Sequence, residues 1–279
     1  MLILPPSSGR PREPRAINVG DPRWRNAVAF FPLTPALGGS ELLGSRHGKV
    51  EGPGPYGLSP LFGSGLQCDG SATNVNAGNI PILDGATSFT IALWLKMAAS
   101  PSSSGKLVTK WDNNGADQSF TLERTSTLKL IFGMVQSSGS QASIYQTTND
   151  VLAALGDFRV VLTWAGSSTW ACYVNGASAA LSSVVVQNTP SFVQTTTTPF
   201  RIGAGGATAG AFSDDLIADV YVAKNRVWSA ADVAFDYALS TRWDLFYRPR
   251  RAAFLSKPAA ATFKAAWAAH ANHLITGAV

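Results

Sequence analysis

The sequence predicts an all-β fold: a two-sheet antiparallel jelly-roll sandwich carrying an extended N-terminal arm and a C-terminal helix. Three observations lead there. Short strand-like runs recur between residues 24 and 240, separated by turn-forming clusters of Gly, Asn, Asp and Ser. Almost no helical periodicity lies between those runs, which favours a sandwich over a βαβ arrangement. Charge is thin: of 279 residues 14% are charged and 46% hydrophobic, with 26 glycines, a balance that fits neither a helix-rich enzyme nor a disordered chain. The length suits one large all-β domain with extensions.

Residues 1–23 contain Pro5, Pro6, Pro11, Pro14 and Pro22 with Arg10, Arg12, Arg15 and Arg23 among them. Proline at that density makes a stiff, extended arm with few backbone donors. Residues 24–240 form the jelly-roll domain. Residues 89–97 put Phe89, Ile91, Leu93, Leu95 and Met97 on one face at period two and read as the central strand. The run 106–111 stops at Asp112-Asn113-Asn114-Gly115, which is turn chemistry. Residues 119–123 and 128–135 make a hairpin. The runs 158–164 and 170–174 flank Gly166-Ser167-Ser168. Asn175-Gly176 then turns the chain into 177–181, because both residue types tolerate positive φ. Residues 199–203 and 216–222 add two strands, and Ser229 with Asp232 three positions on opens a short helix through a capping box. In residues 241–279 a basic, aromatic stretch leads into an alanine-rich helix starting at Pro258 and ending at Gly277. Phe263, Ala266, Trp267, His270 and Leu274 line one stripe of that helix.

The net charge of +5 is uneven: +4 over residues 1–50 (seven basic, three acidic), −4 over 51–240 (nine, thirteen) and +5 over 241–279 (six, one). Basic ends on an acidic middle point away from a nucleic-acid-binding surface, where the folded domain itself carries the basic stripe. They suit arms that reach an acidic protein neighbour, another copy included; solubility alone is the plainer alternative. Arg10, Arg12, Arg15, Arg248, Arg250 and Arg251 can grip carboxylates through planar guanidinium groups. Phe263, Trp267 and Leu274 supply apolar anchors of the kind that dominate interfaces. No apolar run approaches the ~20 residues of a bilayer span, and Met1-Leu2-Ile3-Leu4 passes at once into proline and serine, without a signal-peptide apolar region. Synthesis in a cytosol is therefore expected, with Cys68 and Cys172 as buried free thiols on strands.

The residues quoted for 89–97, Val160-Val161-Leu162-Thr163-Trp164-Ala165-Gly166, Tyr173-Val174-Asn175-Gly176, Phe200-Arg201-Ile202-Gly203 and 215–222 occur in an order that resembles laminin-G-like, concanavalin-A-like jelly rolls. Outside them, Ile17-Asn18-Val19-Gly20-Asp21-Pro22 and Trp243-Asp244-Leu245-Phe246-Tyr247-Arg248-Pro249-Arg250-Arg251 resemble the flanks of laminin-G-like virion proteins of tailed bacteriophages. The resemblance implies a non-enzymatic structural protein of a phage virion, a capsid decoration or cement subunit made in the bacterial host cytoplasm. Its partners would be the major capsid protein, other virion proteins and copies of itself, with neither nucleic acid nor membrane. The alternative it implies is a carbohydrate-binding, lectin-like module of a tail or adhesion structure that contacts host glycans.

Catalysis finds little support. A retaining glycosidase needs two carboxyls ~5–5.5 Å apart, yet the four glutamates, Glu13, Glu41, Glu51 and Glu123, have no such neighbour in sequence. Asp215 and Asp219 are spaced i, i+4 on one strand and hence on one face, but they read more simply as a turn aspartate and an edge or cap aspartate. With three histidines, His47, His270 and His273, and no nucleophile elbow, acyl-transfer chemistry is not expected; His270 and His273 have no third ligand for zinc. Laminin-G-like domains often hold one Ca²⁺ at the sandwich rim, and Asp69, Asp112 and Asp214 are the loop aspartates suited to it, although each is also a natural turn former. Trp94, Trp164 and Trp170 fall within strands and read as packed core or interface rather than sugar platforms. Trp111, beside the turn at 112–115, is the candidate sugar platform, with rim packing as the plainer reading.

Overall fold

A computed structural model describes residues 17–18, 20–44, 47–54, 56–99, 103–112, 117–136, 141–187, 189–206, 209–238 and 240–246. The expected C-terminal helix lies outside them. So do Arg10, Arg12 and Arg15, Arg248, Arg250 and Arg251, and Phe263, Trp267 and Leu274.

The chain forms β1 (Ala27–Phe31), β2 (Gly39–Ser40), β3 (His47–Glu51), β4 (Tyr56–Ser59), β5 (Gly63–Gln67), β6 (Asn74–Asn76), β7 (Phe89–Lys96), β8 (Gly105–Trp111) and β9 (Gln118–Arg124). It continues with β10 (Leu130–Gln136), β11 (Gln141–Thr147), β12 (Asp157–Trp164), β13 (Trp170–Val174), β14 (Ala177–Ala179), β15 (Leu181–Gln187), β16 (Arg201–Ile202), β17 (Leu216–Lys224) and the helix α1 (Ala230–Tyr237). One eight-stranded sheet runs β14-β13-β12-β7-β17-β5-β4, with β1 sharing the edge of β17 beside β5. The other, nine-stranded, runs β15-β11-β10-β9-β8-β16-β6-β3-β2. The two-sheet antiparallel sandwich expected from the sequence is thus present.

β7 lies between β12 and β17, and its period-two face packs between the sheets. Phe89, Ile91, Leu93 and Leu95 meet Phe120, Leu122, Phe132 and Met134 of the opposite sheet in one buried cluster. Trp164 and Trp170 join it against Phe89, with ring centroids 5.6 and 5.7 Å away. Asn175 and Gly176 take φ of 53° and 81° in the β13–β14 turn, the left-handed pair that Asn-Gly accommodates at least cost.

The opposite face of β7 is buried as well, which the alternation alone does not show. Ala92 and Trp94 lie under a third layer made of α1, the 3₁₀ turn Pro22–Trp24 and residues 243–246. Trp94 stacks on Phe62 at 5.6 Å and meets Trp243 at 6.1 Å, while Trp24 contacts Phe30 and Phe246. Residues 17–18, 20–23 and 241–246, assigned by sequence to the arms, therefore pack on the sandwich instead of reaching away from it. Ile17 bridges Phe246 in antiparallel fashion, so both ends of the described chain leave side by side. Asp236 of α1 bonds Arg23 at 3.0 Å and Arg159 at 2.6 Å, tying the 3₁₀ turn, helix and sheet together in the interior. Ser229 and Asp232 make the expected capping box at the N-terminus of α1.

A second buried ion pair joins the two sheets. Arg124 Nε at the end of β9 donates to Asp215 Oδ2 at 2.8 Å, with both side chains fully buried. Ser213 Oγ donates to the same oxygen and the Ala98 N–H to Oδ1, so the carboxylate is surrounded by donors. Cys68 and Cys172 are free and buried.

Candidate functional site

Antiparallel partners share a face, so strand register shows what the outer surface of the nine-stranded sheet carries. One row crosses Lys49, Asn76, Arg201, Thr109, Thr121, Gly133, Ile144 and Val185. A neighbouring row carries Lys106, Glu123, Ile131 and Gln146. At one end of this face Trp111, Val135 and Ala142 form a small apolar cluster flanked by Ile144 and Val185.

Polar groups on this face are paired. Lys106 Nζ lies 2.5 Å from Glu123 Oε2 and 3.3 Å from Thr121 Oγ1, and sits over the Trp111 ring at 5.8 Å. Arg201 Nη1 donates to Glu51 Oε2 at 2.8 Å and to Asn74 Oδ1 at 2.9 Å, while Asn76 donates to the other Glu51 oxygen. Burial alone would raise the Glu51 pKa, but its bonds to Arg201 and Asn76 hold it below the ordinary carboxylate value. The segment around Gly205 closes over Lys106: a Cβ on Gly205 would come within 3.0 Å of Lys106 Cγ. The result is a strip of donors and acceptors with self-cancelling charge beside an apolar floor; Lys106, Thr109, Thr121 and Arg201 within it are buried, and Glu51, Glu123 and Gln146 reach solvent in part. Such a strip suits a neutral, hydroxyl-rich ligand better than a phosphate or a nucleic acid, which need surplus cations.

Trp111 is 9% exposed, packed into this floor rather than raised as an open platform. Lys106, Glu123, Arg201, Glu51 and Asn74 were not picked out from the sequence. Their signal was present, since Thr121 and Glu123 alternate with Phe120 and Leu122, and Arg201 falls between Phe200 and Ile202. The strand order that brings them together is invisible in one sequence.

The three loop aspartates do not converge. Asp69 and Asp214 share one end of the sandwich: the Gly70 N–H donates to the Ser213 carbonyl, and a Cβ on Gly70 would stand 3.4 Å from Asp214 Cβ. Asp112 follows the last residue of β8, whereas the first, Gly105, packs on Ser213, so Asp112 is a strand's length from that end. Asp214 pairs with Arg124, and Asp69 Oδ1 accepts from the N–H groups of Ser71, Ala72 and Thr73. Although burial acts to raise it, those N–H groups hold the Asp69 carboxyl well below its usual pKa. Among the described residues no cluster of three or more His, Cys, Asp or Glu could hold a metal ion. Asp215 and Asp219 do not share a face either. A β-bulge between Ala218 and Tyr221 moves the alternation along by one, so Ile217, Val220 and Val222 point inward, and Asp219 occupies the bulge at φ 48°.

A cleft of about 540 Å³ lies on the opposite side of the molecule, where the described ends meet; Asn18, Arg23, Asp232, Phe235, Asp244 and Phe246 are among its walls.

No curated protein sequence matches this chain. Among solved structures, the binding domain of Paraclostridial Mosquitocidal Protein 1 superposes with a TM-score of 0.59 at 11% identity, covering 77% of this chain and 52% of that one. The receptor binding domain of botulinum neurotoxin C/D mosaic serotype gives 0.55 at 10% identity, covering 76% and 51%. This chain thus spans about half the length of those toxin domains. Domain 4 of AbnA, a GH43 extracellular arabinanase from Geobacillus stearothermophilus solved with arabinotriose, gives 0.54 at 12% identity, covering 80% of this chain and 98% of that one. At these identities the likeness concerns the fold. A family model, Laminin_G_3, matches residues 69–234, more than half of the chain, and on that match the protein belongs to the concanavalin A-like lectin/glucanases superfamily.

Proposed function

We propose that the protein is a non-enzymatic, carbohydrate-binding module that contacts glycans through the outer face of its nine-stranded sheet, around Trp111, Lys106 and Glu123. The observation that carries this reading is the strip of paired polar groups beside an apolar floor, whose partly exposed members, Glu51, Glu123 and Gln146, can meet hydroxyls without net charge. Structural neighbours support it: two are binding domains of toxins, and one is an arabinanase domain solved with an arabino-oligosaccharide. A glycan array tests it. Specific binding that Trp111→Ala and Glu123→Ala each reduce at least tenfold supports the proposal; no binding across the array, or binding untouched by both changes, refutes it.

A second reading, a structural subunit of a tailed-phage virion such as a capsid decoration protein, draws on one observation. Ile17 and Phe246 are paired on the outer side of the eight-stranded sheet. Segments continuing from both ends could anchor the domain from that side and leave the nine-stranded face displayed. Co-sedimentation of the full chain with particles lacking it, lost on replacing Arg248, Arg250 and Arg251 by alanine, is the outcome this reading expects.

A further inference from the structure

Five arginines are buried among the described residues, and four of them reach a carboxylate. Arg23 pairs with Asp21 and Asp236, Arg124 with Asp214 and Asp215, Arg159 with Asp236, and Arg201 with Glu51. Arg242 differs. Its residue is 3% exposed, yet neither Nε nor Nη1 has a hydrogen-bond partner among the described residues. It follows α1, with its backbone N–H returned to the Ala238 carbonyl. The guanidinium carbon lies 5.4 Å from the centre of the Trp94 ring and 5.5 Å from that of Tyr237. Those rings attract the charge but do not replace the acceptors that its N–H groups need. The carboxylate whose field reaches it is Asp236, and both oxygens of Asp236 are taken, Oδ1 by Arg23 and Oδ2 by Arg159. Burial lowers the Arg242 pKa against the pull of Tyr237 and Asp236, and the neighbouring Arg159 charge adds to the lowering. A guanidinium nevertheless keeps its proton at neutral pH.

We propose that Arg242 holds a small carboxylate ligand, whose oxygens accept from its unmet N–H groups beside the Trp94 and Tyr237 rings. Buried charges in native folds are paired, and a buried donor without an acceptor calls for a bound ion or water. Water would meet a donor but leave the charge uncompensated. A carboxylate meets both needs, because its two oxygens match one edge of a guanidinium with parallel hydrogen bonds and it brings a single negative charge. Arg159 adds a second positive field from the same side of Trp94's surroundings, its guanidinium carbon 5.4 Å from that ring. The cover above the site is thin: Ser240 is exposed, and Tyr237, Ala238 and Thr241 are partly so, which leaves a short path from solvent. Trp94 belongs to the third layer on the eight-stranded sheet, so this site is separate from the nine-stranded face and does not rest on the glycan reading.

Acetate is the probe. Replacing chloride by acetate at constant ionic strength, with tryptophan fluorescence read on the full chain, should give a saturable change, since Trp94 adjoins both Arg242 and Trp243. The melting temperature should rise along the same saturation curve, because a ligand of the folded state stabilises it by mass action. Arg242→Met should abolish both responses. Arg242→Lys keeps the charge but loses the planar donor edge, and should weaken acetate binding at least tenfold. Where the methionine variant fails to fold, the lysine variant decides. A wild type without a saturable response to acetate, or a response that the lysine variant keeps at full strength, overturns the proposal.

Discussion

Arg124→Met tests whether the inter-sheet ion pair holds the sandwich closed. The guanidinium donates to Asp215 Oδ2 at 2.8 Å, to Asp214 and to the Ser103 carbonyl at 2.6 Å. Asp214 is 23% exposed at its side chain and can turn to water, so its loss is cushioned. Asp215 is fully buried and would keep only the Ser213 hydroxyl and the Ala98 N–H. Removing one partner of a buried pair costs about 3–5 kcal/mol; the two surviving donors place this site at the lower end of that range. At 2–4 °C per kcal/mol for a domain of this size, the melting temperature should drop by roughly 6–12 °C. The double variant Arg124→Met/Asp215→Leu removes both charges and should recover more than half of the loss, because two apolar side chains are tolerated where one lone carboxylate is not. Urea unfolding of the wild type, both single variants and the double variant closes the cycle. If Arg124→Met lies within about 1 kcal/mol of wild type, or the double variant merely sums the two singles, the pair is incidental to stability.

Two further outcomes follow from the interior and the rim. Leu93→Asp should abolish soluble expression, since residue 93 is fully buried between the sheets and a lone charge there costs several kcal/mol; recovery of a normally melting variant would show that the inward face of β7 is misassigned. Asp69 has a folded-state pKa below its unfolded value near ~4. Its stabilisation is therefore complete above that value and is lost as pH falls toward the lowered folded pKa. Calorimetry down a pH series should show the wild type losing stability in acid faster than Asp69→Ala, and parallel curves would exclude the turn carboxylate as the cause.

The strands that lay open in the sequence are those whose two faces differ or whose ends carry turn chemistry. β7 alternates large aliphatic residues, Asn175-Gly176 marks a hairpin, and Ser229 with Asp232 marks a helix start. β11 and β15 escaped because Gln141-Ala142-Ser143-Ile144 and Leu181-Ser182-Ser183-Val184 mix small polar and apolar residues without a strong period. The third layer escaped for a different reason. Trp24, Trp94, Trp243 and Phe246 come from segments more than 200 residues apart at the extremes, and nothing local says that they meet. The candidate site shows the same division. Trp111 and Asp69 could be named from their own neighbourhoods. The pairs Lys106–Glu123 and Arg201–Glu51 depend on strand order, and the expected alignment of Asp215 with Asp219 failed on a single bulged residue.

The bridge between Ile17 and Phe246 gives the domain the topology of a bead hung on a string rather than a link within it. Bridged residues stand roughly 4.5–5.5 Å apart at Cα. A host protein could therefore receive the whole sandwich in one surface loop without moving the residues on either side of the insertion. For the same reason the chain could be cut at Asn175-Gly176, and Ile17 joined to Phe246 by a short Gly-Ser tether in place of the residues outside them, with every strand keeping its neighbours. Tension applied at residues 17 and 246 would meet the Ile17–Phe246 bridge first, in a peeling geometry, before any of it reached the sheets.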